Sequence, residues 1–139
     1  MDNIKTFDLY AGAIFDLLYR SFPVPVKFDY TMILADKNGD IAGEIDASIM
    51  YFTLSWLEDN GFIKCDLGVF SPKTNTEVSS AILTHKGLAL LKTPQSIKHK
   101  GETIGQSIIN AMKSGAKSSV EAATNSALST GVSMIAKLF

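Results

Sequence analysis

Cysteine and histidine are almost missing from this chain: one cysteine, Cys65, and two histidines, His85 and His99, in 139 residues. A single thiol excludes an internal disulfide and fits a reducing compartment. Cys65 falls in an apolar, strand-like run with no histidine near it, which reads as an inert core thiol. The two histidines lie apart and have no zinc spacing around them. No nucleophile motif or phosphate loop accompanies the acid pairs Glu44/Asp46 and Glu58/Asp59, so these read as helix-surface charges. An excess of charge is lacking too. Thirteen basic and 14 acidic residues leave a net −1, too little to draw the chain to nucleic acid or an anionic membrane. No run approaches the roughly 18 apolar residues of a membrane span. The N-terminus lacks the basic and apolar segments of a signal peptide. The expectation is a cytoplasmic, non-enzymatic protein with no catalytic residue, metal, cofactor or small-molecule substrate.

What is present is an ordinary globular composition, 46% apolar and 19% charged, long enough for one core. Charge is unevenly spread. Residues 44–91 carry three basic and six acidic groups, whereas residues 92–139 carry six basic and two acidic. An acidic body with a basic tail suggests that the tail folds back on its own body or a neighbour's.

Residues 5–22 have helical periodicity, with Phe7, Tyr10, Ala11, Ile14, Phe15, Leu18 and Phe22 on one face and Asp8, Asp16 and Arg20 off it. Pro23 and Pro25 end that helix, and Val24 to Phe28 should be extended. Asp29 is placed to cap a short second helix from Tyr30 to about Lys37. Asp36-Lys37-Asn38-Gly39-Asp40 has the look of a calcium loop. Counted from Asp36, the positions that need Gly and Glu hold Ile41 and Ala47, so it reads as a polar turn with Asn-Gly supplying positive φ.

A third helix is expected from about Glu44 to Asn60, closed by Gly61. Phe62 to Leu67 and Val78 to Thr84 read as strands, joined through Gly68 to Glu77. Thr84 then caps a helix over His85 to Lys92, which Pro94 ends. Residues 94–102 read as a linker, with Lys98-His99-Lys100 solvated. Thr103 to Phe139 is rich in Ala, Ser and Gly. Its apolar positions, among them Ile104, Ile108, Met112, Val120, Met134 and Leu138, share one helical face. One amphipathic helix, or two broken near Ser114-Gly115, would need another surface to pack on.

The phrase Leu57-Glu58-Asp59-Asn60-Gly61-Phe62-Ile63, a hairpin, and then Leu83-Thr84-His85-Lys86-Gly87-Leu88 resemble the winged helix-turn-helix proteins of bacterial regulators. The whole layout is similar to small bacterial winged-helix proteins with an Ala/Ser/Gly-rich C-terminal helix. The resemblance implies an α+β, mainly helical fold. A winged-helix domain would fill residues 1–93, and an added amphipathic tail would fill 103–139, on the domain or on a second subunit. It also implies duplex DNA as a ligand, read by the third helix.

The residues of that helix argue otherwise. With Met50, Leu54 and Leu57 turned inward, its outward face holds Ile45, Ile49, Phe52 and Trp56. Base reading calls for Arg, Lys, Asn or Gln, and no basic residue lies between Glu44 and Asn60. Backbone contacts to DNA would fall to Lys64, Lys73, Lys98 and Lys100. The expected function is therefore interaction through the third-helix face and the tail, with a second copy of the chain as a dimer or with another protein partner. DNA binding as a transcriptional regulator is the alternative. A membrane-active tail comes third, because its apolar face is poor in large residues and has no Trp or Tyr.

Overall fold

A computed structural model describes residues 2–68, 71, 75–95 and 101–138, the stretch 132–138 as backbone alone. Helix α1 spans Asn3–Ser21, and the Asp2 carboxylate caps it by accepting from the Ile4 and Lys5 N–H groups. Strand β1 (Val26–Asp29) and a single 3-10 turn (Gly39–Ile41) precede helix α2 (Ala47–Asp59). Strands β2 (Ile63–Leu67) and β3 (Glu77–Leu83) follow, then helices α3 (His85–Lys92), α4 (Ile104–Ser114) and α5 (Lys117–Leu138). The class is α+β, with a three-stranded antiparallel sheet in the order β1-β3-β2. On β3, Ser79 and Ser80 are both exposed between buried Val78 and Ala81. The register slips there against both neighbours, as a bulge requires.

Two local expectations change. Tyr30 to Lys37 is not a helix but a run of turns, closed by three-residue bonds from Met32 to Asp29, Ala35 to Met32 and Lys37 to Leu34. The Asp29 carboxylate bonds the N–H and hydroxyl of Thr31 within a tight turn instead of capping a helix. Eight residues gain too little to nucleate a helix alone, and burial of Tyr30 and Leu34 fixes the segment as it is. Helix α2 starts at Ala47, later than Glu44, because the Asp46 N–H donates to the Tyr10 hydroxyl at 2.7 Å. The Asp46 side chain then caps the helix at Ile49.

Helix α1 is the centre of the core. Leu9 to Phe15 and Leu18 are buried around its whole circumference. Asp16, expected off the buried face, is 3% exposed. Its carboxylate takes a two-pronged hydrogen bond from Arg20 and lies 3.9 Å from Lys37 Nζ. This is the pairing that a buried carboxylate needs. The reversal arises because α2 packs on one side of α1 while α4 and α5 pack on the others.

The tail is thus intramolecular in its described contacts, with α4 and α5 lying on α1, α3 and each other. Ile104, Ile108, Met112 and Val120 are buried in the common core. The side chains of Met134 and Leu138 lie outside the described residues. The tail is two helices, broken at Gly115 with φ 72°. That break docks on the false calcium loop. The Asp40 N–H donates to the Gly115 carbonyl at 2.9 Å, and the Asp40 carboxylate accepts from the Lys117 N–H at the start of α5. Gly39, at φ 66°, presses against Gly115 so closely that a Cβ would overlap its carbonyl. The linker is drawn together at its ends, where Ile104 donates to Thr93 and Gln95 to Glu102; residues 96–100 are outside the described residues.

Where α5 crosses α1, a Cβ on Gly12 would overlap Thr124 Oγ1 and Val120 Cγ1. The Thr124 hydroxyl is fully buried and has no hydrogen-bond partner among the described residues. Gly12→Ala should cost about 1–3 kcal/mol by overpacking. Adding Thr124→Ala should recover part of that loss, which denaturant titration of the single and double variants will read as non-additivity. Strictly additive values would mean the helices do not meet at this pair. A second prediction concerns Asp8, on the same flank of α1. Burial, then Glu121 of α5, then Asp2 raise its carboxyl above the ordinary 3.8. A raised folded-state value stabilises the protonated form, so the contribution is present below 3.8 and lost as pH rises through the folded value. Asp8→Asn should therefore raise Tm at pH 7, with the gain vanishing at acid pH. An equal gain at both would remove the electrostatic cause.

Candidate functional site: an open apolar groove between the first two helices

Helix α2 is apolar on two sides. Met50, Leu54 and Leu57 are fully buried against the core. On the opposite side Phe52 is 58% and Trp56 41% exposed, with Ile49, one turn before Phe52, half-buried. The N-terminal turns of α1 bring Ile4, 71% exposed, and Phe7 alongside. Together these five side chains, with Asn3, Ser48 and Thr53, line a groove of about 580 Å³ that carries no charged residue. Ile45, the fourth residue expected on this face, precedes the helix, is half-buried and does not line the groove.

The groove floor is held by aromatic packing. Trp56 meets Phe7 edge to face at 5.2 Å between centroids and stacks on Phe62 at 6.2 Å. Phe62 is buried, meets Phe15 edge to face and carries Lys86 Nζ 4.3 Å from its ring centroid. Trp56 is therefore held by two aromatic neighbours while 41% of it stays exposed.

No described tail residue lines this groove. The described part of the tail packs on the flanks of α1, on α3 and on itself. The sequence signal for that choice was Ala11-Gly12-Ala13, a small-residue stretch in α1 matched to the small residues of α5. Gly12 and Thr124 at the crossing were not among the residues singled out from the sequence.

The acid pairs have structural duties. Asp46 caps α2. Glu58 lies on the side of α2 that faces β2, where it accepts from the Cys65 N–H at 3.4 Å and from the Cys65 thiol at 3.6 Å. Asp59 and Glu44 are exposed, as is His85. Lys64 is exposed on β2. Lys73, Lys98, His99 and Lys100 lie outside the described residues. Among the described residues no cluster of three His, Cys, Asp or Glu side chains is placed to hold a metal. Among them also, no helix is long and apolar enough to cross a membrane. Compared with family models, with curated proteins and with solved structures, the chain matches none.

Burial, then the neighbouring Glu58 charge, push the Cys65 thiol up to about 12. The reactive thiolate is then scarce at any ordinary pH. Cys65 should resist a disulfide-exchange reagent such as DTNB at pH 8 while the chain is folded and react fully once it is denatured. Rapid labelling of the native chain would contradict this environment.

Proposed function

We propose that this chain is a non-enzymatic interaction module built on a winged helix-turn-helix frame, with the α1–α2 groove as its docking surface. Support for the frame comes from the element order, helix, strand, turns, helix, hairpin and helix, and from a sheet in which β3 lies between β1 and β2. In this frame the first helix of the helix-turn-helix is replaced by turns. The observation that carries the function is the open groove itself. Phe52, Trp56 and Ile4 keep 58%, 41% and 71% of their surface exposed, and exposed apolar surface of this kind marks interaction sites.

Nothing on α2 favours the DNA reading. The side chains that would meet base edges are Ile49, Phe52 and Trp56, which offer neither a bidentate donor nor a positive charge apart from the single indole N–H. The helix ends are acidic, which repels phosphate. A gel shift at about 50 mM salt, where backbone contacts are strong, should show no retained duplex.

A photo-crosslinking amino acid at position 52, in the full chain expressed in cells, tests the docking surface. Position 32 is the control, because Met32 is equally exposed at 58% but lies away from the groove. Position 52 should give a discrete protein adduct, either a dimer of the chain or a heterologous species, and position 32 none. Adducts with nucleic acid alone, or no adduct at either position, would overturn the proposal.

A further inference from the structure

Two Asn-Gly pairs occur in the chain, Asn38-Gly39 and Asn60-Gly61. Glycine in second place leaves the peptide nitrogen unhindered by a Cβ, so that it can close on the preceding carboxamide. Both asparagines are exposed, and access to water does not separate them. Hydrogen bonding does. Asn60 ends α2 with φ −90° and ψ 5°. Its Nδ2 donates to the Trp56 carbonyl at 2.9 Å, and the Gly61 N–H donates to the Glu58 carbonyl at 2.9 Å. Carboxamide and nitrogen are both tied back onto the helix. Asn38 is extended, with φ −94° and ψ 163°, and its side chain makes no capping bond. Gly39 opens the 3-10 turn, where an N–H has no partner within the turn. Among the described residues nothing bonds the Asn38 carboxamide or accepts from the Gly39 N–H.

From this difference we infer that Asn38-Gly39 is a self-modifying site, at which Asn38 of the folded chain converts to isoaspartate and opens the dock between the turn and the tail. The Gly39 nitrogen bonds to Asn38 Cγ, the carboxamide C–N bond breaks, and ammonia leaves with the proton that the nitrogen gives up. Water then adds to the resulting succinimide and splits one ring C–N bond. Splitting at the old main-chain carbonyl gives isoaspartate, and splitting at Cγ gives aspartate. Water is the only co-reactant. Isoaspartate lengthens the main chain by one methylene between residues 38 and 39 and turns the old Asn38 carbonyl into a carboxylate. The surroundings leave no room for either change. Asn38 and Gly39 pack backbone to backbone on Gly115, so closely that a Cβ on Gly39 or on Gly115 would overlap the other segment. Asp40, the next residue, makes both bonds of the dock, from its N–H to the Gly115 carbonyl and from the Lys117 N–H to its carboxylate. The lengthened chain cannot keep that packing and both bonds together. This inference is independent of the α1–α2 groove.

The full chain, held folded in mildly alkaline buffer and sampled over days, tests the site by tandem mass spectrometry with a fragmentation that tells isoaspartate from aspartate. Position 38 should convert roughly tenfold or more faster than position 60, the factor expected when two hydrogen bonds must break first at the slower site. In guanidinium chloride, where neither asparagine is held, the two should convert at similar rates. Asn38→Ser should remove conversion at position 38 and leave position 60 unchanged. Amide hydrogen exchange reads the dock. In the isoaspartate form, separated by chromatography, the Asp40 and Lys117 N–H groups should lose protection. Asn38→Asp, which carries the added charge on an ordinary main chain, should keep it.

Equal conversion at the two positions of the folded chain, faster conversion at position 60, or none at position 38 would overturn the site. Isoaspartate at position 38 with protection unchanged at Asp40 and Lys117 would overturn the opening of the dock. Equal loss of protection in Asn38→Asp would assign the opening to charge and overturn the part given to the lengthened main chain.

Discussion

Helix α5 lies against helix α1 because Gly12 has no side chain there, and the arrangement of the remaining elements follows from that crossing. Thr124 and Val120 occupy the space a Cβ would need. With α5 so close, and α4 beside it, the flanks of α1 are dry, and its middle is buried around the full circumference. A helix enclosed in this way must neutralise any charge it carries. The two-pronged Asp16–Arg20 pair, with Lys37 brought in from the turn segment, meets that need. The same packing uses up the apolar face of the tail. Among the described residues, the outward side of α2 then keeps Phe52 and Trp56 exposed.

Much of this was legible in the sequence, and the failures have identifiable causes. The strands, the cap at Thr84, the positive φ at Gly61 and the break at Gly115 each follow from a local rule, because capping and turn chemistry act within a few residues. The outward apolar face of α2 was legible as well, from Phe52 and Trp56 set opposite Met50 and Leu54. The depth of Asp16 was not legible. Periodicity reports one buried stripe and is blind to a second layer of helices arriving from a distant part of the chain. The turn segment was misread for a related reason. Tyr30 and Leu34 have helical spacing, but their burial against distant elements outweighs a weak local preference. The duty of Asp40 was also hidden, since a helix cap donated from another part of the chain leaves no local pattern.

Fold and function separate at the level of side chains. A recognition helix works through donors and positive charge, and α2 presents large apolar groups between acidic ends.

The clasp between Asp40 and the start of α5 joins residues 77 positions apart. During synthesis at about 5–20 residues per second, the loop around Asp40 leaves the ribosome roughly 4 to 15 seconds before its partner does. Through that interval α1 has α2 and the sheet on one side and nothing on the other. A nascent chain in this state leaves the Gly12 face of α1 without Val120 and Thr124 to cover it, and translation stalled before residue 117 would leave an intermediate open to aggregation. The last helix to emerge is the one that closes the first.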